Sequence, residues 1–239
     1  MLFSRDFLEL NLKFARKVSE AAGQSFLEFL LEYTHLYLAF GLGSEFDSRH
    51  PLWQSYINQV ENQSDQTGYT YSFYLEQKAK QPEQLPAKVF GCFSYALWED
   101  NRVRLHFHSW TEESGVLQKQ NAPKRIAELK ALFKSLKEIV PDMSIVVGGS
   151  WLYNIEAYRR LFPTGYLKTA QVGEDECQFM ALWGQFLFHN GNVRQHLAQS
   201  FLEGIEKQNT LQNLKDCFPY QVLRLESSII DFYRHYDIA

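Results

Sequence analysis

Cysteine is scarce in this chain and forms no pattern. Its 239 residues include 3 cysteines, Cys92, Cys177 and Cys217, an odd number with no C-x-x-C spacing. That argues against a disulfide framework and fits a reducing compartment such as the cytoplasm. Each cysteine reads as a small core residue, because no adjacent histidine-bearing motif marks a nucleophile. The opening Met-Leu-Phe-Ser-Arg-Asp-Phe lacks the basic, apolar and small order of a secretory signal. No apolar run is long enough, at roughly 18 residues or more, for a membrane-spanning helix. Positive charge is not in excess: the net charge is −4. Neither nucleic acid nor an anionic membrane is therefore an expected partner. Lys119, Lys124, Arg125, Lys130, Lys134 and Lys137 are the one basic cluster, spread along a solvated helix face. Also missing are G-x-S-x-G, G-x-G-x-x-G and G-x-x-x-x-G-K-[ST], the marks of hydrolases, dinucleotide binders and nucleotide-triphosphate binders.

Aromatic residues are abundant: 19 Phe and 13 Tyr bring the aromatic share to 15%. Rings in such number fill a core, and an excess can line a pocket. Their placement separates a helical region from a mixed one. Phe7, Leu8, Leu10, Phe14, Ala15 and Val18 recur at helical spacing, and Gly23 can end that segment. Phe26, Phe29, Leu30, Tyr33, Leu36 and Tyr37 form a second broad face. Pro51 opens a third segment, Leu52–Val60, and Tyr69–Gln77 reads as a fourth. Lys78–Ala87 is polar, holds two prolines and reads as a linker.

Beyond it the period changes to that of strands. Val89, Gly91, Phe93, Tyr95 and Leu97 alternate with other residues, as do Val103, Leu105 and Phe107 across a turn at Glu99–Asn101. Pro123 starts a long amphipathic helix with Ile126, Leu129, Leu132, Phe133, Leu136 and Ile139 on one face. Pro141 ends it, and Ile145–Val147 is a short central strand. Tyr166–Val172 and Cys177–Phe188 read as strands around a turn at Gly173–Glu176, and Val193–Lys207 as a helix. The tail is one helix, or a strand at Gln221–Leu225 and then a helix. The fold expected is α+β or α/β: a helical region over 1–80 packed on a mixed, largely antiparallel sheet flanked by helices over 81–239.

Three places can carry chemistry. His106 and His108 stand two apart on a strand and so share a face. Such a pair serves as general acid and base, or as two metal ligands with a third from Glu112, Glu113 or His189, or as ordinary rim residues. Trp183-Gly184-Gln185 interrupts a strand with glycine, which marks either a bulge or a close approach by a ligand that Gln185 can bond. The third place is Met143–Pro163. There a buried strand stops at Gly148-Gly149-Ser150, turns through Trp151, Tyr153 and Asn154, and continues as a short helix closed by proline.

The run Asn154-Ile-Glu-Ala-Tyr-Arg-Arg-Leu-Phe162 resembles the last part of the pattern of GNAT acyltransferases. The order of hairpin, helix and strand upstream is similar too, so the resemblance spans roughly residues 88–190. Ser150-Trp151-Leu152 resembles a divergent branch of such domains that carries a helical N-terminal half. The resemblance implies that acyl-CoA enters between splayed strands, with its pyrophosphate at the start of the Pro123 helix. It implies that Asn154 contacts the pantetheine arm and that Tyr158 protonates the leaving thiolate. Gly148, Gly149 and Ser150 would stand beside the cofactor, and Trp151, Tyr153, Trp183 and Gln185 beside the substrate. The family's glycine cradle for pyrophosphate has no counterpart here, since no glycine follows Gln118 before the helix. Lys124 and Arg125 would have to supply the charge instead. The expected partner is a small molecule. The alternatives are a binding module that keeps only the fold, and a metal-dependent enzyme built on His106 and His108.

Overall fold

A computed structural model describes residues 2–81, 88–108, 115–173 and 177–239. The expected linker residues 82–87, the candidate ligands Glu112 and Glu113, and turn residues 174–176 lie outside the described residues. Five helices come first: α1 (Arg5–Ala22), α2 (Phe26–Tyr33), α3 (Leu36–Ala39), α4 (Pro51–Val60) and α5 (Gln66–Lys80). Strands β1 (Val89–Phe90), β2 (Phe93–Trp98) and β3 (Arg102–Phe107) follow, then α6 (Ala122–Ile139) and β4 (Ile145–Ser150). Short helices α7 (Glu156–Arg159) and α8 (Thr164–Leu167) precede β5 (Gln171–Val172). The chain closes with α9 (Met180–Trp183), α10 (Gln195–Ile205), α11 (Leu211–Asp216), β6 (Leu223–Ser228) and α12 (Ile229–His235). This is the expected α+β class. Among the described residues no helix is long and apolar enough to cross a membrane.

The chain forms two compact units, Met1–Glu83 with Asp175–Tyr220, and Gln84–Glu174 with Gln221–Ala239. A division at 80/81, as the sequence suggests, assigns 175–220 to the sheet region, whereas here that stretch joins the N-terminal helices. Aromatic packing is the reason. Phe14 meets Trp183 and Phe218 edge-on at 5.8 Å and 5.2 Å, and Trp183 meets Phe7 at 6.2 Å. Each buried ring of that size removes enough surface from water to stabilise by about 2–3 kcal/mol.

In the first unit the stretch around Phe26–Tyr37 is two helices rather than one. The Thr34 hydroxyl bonds back to the Leu30 carbonyl, and the His35 N–H donates to Asn11 Oδ1 at 2.7 Å. The fourth helical segment is longer than Tyr69–Gln77 and runs through Lys78–Lys80. Asp65 caps it by accepting from the Gly68 N–H at 2.8 Å.

The reading of Cys177–Phe188 as a strand is overturned. Met180–Trp183 is a helical turn, Gly184–Phe186 a 3-10 turn, and Gly184 takes ordinary right-handed φ −58° and ψ −19°. A short continuous apolar run does not distinguish strand from buried helix by period. Here the helical form sends Leu182, Trp183 and Phe186 together into the core. One bridge, Leu187 to Val193, is all the pairing this stretch makes among the described residues. Tyr166–Val172 is likewise corrected: only Gln171–Val172 is strand, after the helix Thr164–Leu167.

The second unit holds one sheet in the order β1-β2-β3-β4-β6-β5. All neighbours are antiparallel except β3 and β4, which are parallel and joined through α6. Asp100 and Asn101 make the tight β2–β3 turn with φ of 58° and 55°, a left-handed region that short polar side chains tolerate. Leu129, Leu132, Phe133 and Leu136 of α6 and Ile229 and Phe232 of α12 bury against Val103, Leu105, Val146 and Leu225. The tail is thus a strand followed by a helix, and its strand lies between β4 and β5.

Candidate functional site

The parallel pair is short. β3 and β4 are in register only from Arg102 and Ile145 to Arg104 and Val147. Past that point Leu105–Phe107 pair with β2, while Gly148–Ser150 pair with β6. The two strands therefore part at their C-terminal ends. The parting begins at Gly148-Gly149-Ser150, and Phe107 and His106 stand across from it.

Aromatic side chains gather on the α6 face of this parting. The Tyr158 ring packs edge-on to Phe107 at 5.4 Å and to Tyr153 at 5.1 Å. The Tyr158 hydroxyl bonds to that of Tyr153, which bonds to Tyr166 at 2.9 Å. Burial, then the neighbouring hydroxyl of Tyr166 for Tyr153 and of Tyr153 for Tyr158, pushes both phenols well above their ordinary titration range. Both stay protonated at any physiological pH. Gly148 is the reason the rings fit. A Cβ there would lie 2.1 Å from the Tyr166 hydroxyl and 2.3 Å from that of Tyr153. Gly148, expected beside the cofactor, leaves room here for two tyrosines of the same chain. Gly149 faces the other side, where a Cβ would sit 3.6 Å from the Arg104 guanidinium.

The turn after β4 is built from local hydrogen bonds. The Ser150 hydroxyl accepts from the Leu152 N–H at 3.1 Å and caps the 3-10 turn Trp151–Asn154. The Asn154 side-chain amide donates to the Trp151 and Gln221 carbonyls, both at 2.8 Å, tying the turn to the start of β6. Trp151 is buried.

The opposite face of the sheet carries the histidines. As the alternation predicts, His106 and His108 share that face, with ring centroids 6.4 Å apart. Their face is not that of Tyr158, which touches the intervening Phe107, so the catalytic residues read from the sequence fall on two sides of the sheet. The ladder places Ser94 directly opposite His106, and the Ser94 hydroxyl lies 2.6 Å from His108 Nε2. Burial, then the charge of Arg104, lowers His106. Burial, then the charge of His106, lowers His108 to about 4. Among the described residues no three His, Cys, Asp or Glu side chains are placed to hold a metal ion.

Three residues read as site residues prove to be parts of the core. Arg125 is 1% exposed and bonds to Cys92 Sγ and to the Glu128 carboxylate, the latter at 2.6 Å. Its guanidinium is turned inward, so it does not compensate for the missing glycine cradle. Glu128 also accepts from the Cys92 N–H at 3.0 Å and so braces the β1–β2 turn. Lys124 is exposed on the first turn of α6. Trp183 is fully buried and donates to the Cys177 carbonyl at 2.6 Å. Gln185, also fully buried, donates to the Leu182 and Tyr220 carbonyls at 2.8 Å and 3.1 Å and accepts from the Tyr220 N–H at 2.9 Å. No strand bulge exists there.

Sequence reasoning missed Ser94, Tyr166 and Glu128, which partner His108, Tyr153 and Arg125. Only Ser94 left a trace, as a polar residue in an otherwise apolar alternating strand. Comparison with protein families, with curated proteins and with solved structures finds no match to this chain.

Proposed function

We propose that this chain is an acyl-CoA-dependent acyltransferase of GNAT-like kind, or a degenerate relative of one. The observation that carries the reading is the parting of the parallel strands β3 and β4 at Gly148-Gly149-Ser150. A sheet that opens between two strands offers each facing edge to an extended ligand with amide groups of its own, and the pantetheine arm is such a ligand. The succession of hairpin, α6 and β4 supports the same reading. So does the position of Tyr158 against Phe107, beside the parting.

In this scheme the thioester lies in the parting. The Tyr158 hydroxyl, kept protonated by burial, gives its proton to the departing thiolate. Tyr153 and Tyr166 hold it in place through their hydroxyl chain. His106, kept neutral on the other face, takes a proton from the acyl acceptor. Lys124 stands near the start of α6 for the phosphates. Calorimetry at about 100 μM protein tests binding of acetyl-CoA and longer acyl-CoAs, since that range detects even weak ligands. Heat of binding is expected, with turnover reduced about 100-fold or more in Tyr158→Phe. No heat with any acyl-CoA overturns the proposal.

A second reading, a binding module that no longer catalyses, draws on the packing of Tyr158. Its ring is 3% exposed and its hydroxyl is already bonded. Binding of acyl-CoA with no transfer to any acceptor, and no effect of Tyr158→Phe, favours it.

A further inference from the structure

We infer that Ser94 and His108 form a nucleophile–base pair able to take up an acyl group from an ester or thioester. This goes beyond the acyl-CoA reading: it gives chemistry to Ser94 and His108, to which that reading gives no role.

The geometry is set by the ladder. Ser94 of β2 opposes His106 of β3, and the His108 N–H continues the pairing by donating to the Cys92 carbonyl at 2.8 Å. His108 is thereby fixed diagonally across from Ser94, on the same face. The serine oxygen lies 2.6 Å from Nε2, within the hydrogen-bond reach that a serine nucleophile and its base require. Ser94 is buried and His108 half-buried, so an acyl group would have to reach the serine oxygen along the imidazole. The His106 ring lies nearly parallel to that of His108, at 22° between planes. Burial keeps both rings neutral at neutral pH, and in the tautomer with the proton on Nδ1 the His108 lone pair on Nε2 accepts from the Ser94 hydroxyl. Arg104, whose charge reaches His106, places positive charge on the face where an oxyanion would form.

The chemistry balances without another cofactor. Ser94 Oγ attacks the acyl carbonyl carbon, and its proton passes to His108 Nε2. The C–O or C–S bond breaks, and the leaving oxygen or sulfur takes that proton. Water or an amine then attacks the acyl-serine, giving its proton to Nε2, which returns it to Ser94 Oγ as the ester bond breaks. A serine that is merely a buried structural residue does none of this.

The test treats the full chain with a fluorophosphonate probe, followed by intact mass and peptide mapping. The expected result is one adduct, on Ser94 in the unaltered protein. It disappears in Ser94→Ala, forms at least about 100-fold more slowly in His108→Gln, and is retained when the exposed α10 serine is altered in Ser200→Ala. An adduct absent from Ser94 overturns the inference, as does labelling of His108→Gln at the original rate. The mapping uses the unaltered chain, so misfolding of a variant cannot mask the result. Calorimetry with acyl-CoA is independent of it, so each proposal can fail while the other stands.

Discussion

Gly148→Ala is the substitution that probes the parting of the sheet most directly. The added methyl would lie 2.1 Å from the Tyr166 hydroxyl, 2.3 Å from that of Tyr153 and 2.8 Å from the Tyr153 ring carbon that bears it. Contacts at those distances do not survive, so something must move. Neither ring swings easily. Tyr153 is wedged between Tyr158 and Phe162, at 5.1 Å and 5.5 Å, and Tyr166 sits against Phe232 at 4.9 Å. Overpacking of this kind costs about 1–3 kcal/mol, and loss of the bond between the two hydroxyls adds about 1 kcal/mol. The expected loss is about 2–4 kcal/mol in urea denaturation followed by far-UV circular dichroism. Adding Tyr153→Phe and Tyr166→Phe removes both oxygens but leaves the ring carbon in place. The triple variant should therefore recover part of the loss, giving strong non-additivity. A Gly148→Ala protein within about 0.5 kcal/mol of the parent would falsify the claim that tyrosines occupy this face of the parting.

Other consequences are as direct. His35 is buried, donates from Nδ1 to the Gln178 carbonyl at 2.9 Å, and titrates at about 4 because burial disfavours its charge. The folded state holds it neutral while the unfolded chain protonates it near 6.5. Its contribution is therefore complete above about pH 6.5 and is lost as pH falls towards about 4, by about 3 kcal/mol in all. Urea midpoints measured across that range should fall, and His35→Gln should flatten the fall; an unchanged slope refutes the assignment. Glu128→Ala leaves the Arg125 guanidinium buried without its carboxylate and should cost about 3–5 kcal/mol, whereas Arg125→Met with Glu128→Leu should cost clearly less. Thermal melts of the two proteins decide between a charge network and simple packing. Gln185→Leu strips partners from Leu182 and Tyr220 and should cost about 2–3 kcal/mol, while a cost near zero means that these bonds are not made.

Helices with a clean apolar stripe and punctuated ends are legible in the amino-acid order itself. Phe7 to Val18 fall on the buried side of α1, and Gly23 closes it at φ 67°. The hairpin, α6 and β4 are legible for the same reason, since period and turn residues are local properties. So is the shared face of His106 and His108, which the two-residue repeat of a strand imposes. The stretch Phe179–Phe188 is not. Its continuous apolar run fits strand and buried helix alike, and packing with Phe7 and Phe14, far away in the chain, makes the choice.

Partnership marks the boundary between the two kinds of knowledge. The sequence alone determined most of the helices and strands and that the sheet region starts with a hairpin, but the central strand that it stops at the glycine pair runs on through Ser150, because Gly148–Ser150 pair with β6. Tertiary structure decided what those features meet. It set Ser94 against His108 through a register fixed by the tight turn at Asp100 and Asn101, and it turned Arg125 and Glu128 inward to Cys92. It also placed the hydroxyls of Tyr153 and Tyr166 on Gly148. The pairings of Ser94 with His108, Tyr153 with Tyr166 and Glu128 with Cys92 each join residues 13 to 36 positions apart. Spacing of that length carries no periodic signal in a single chain, so only the closed fold specifies it.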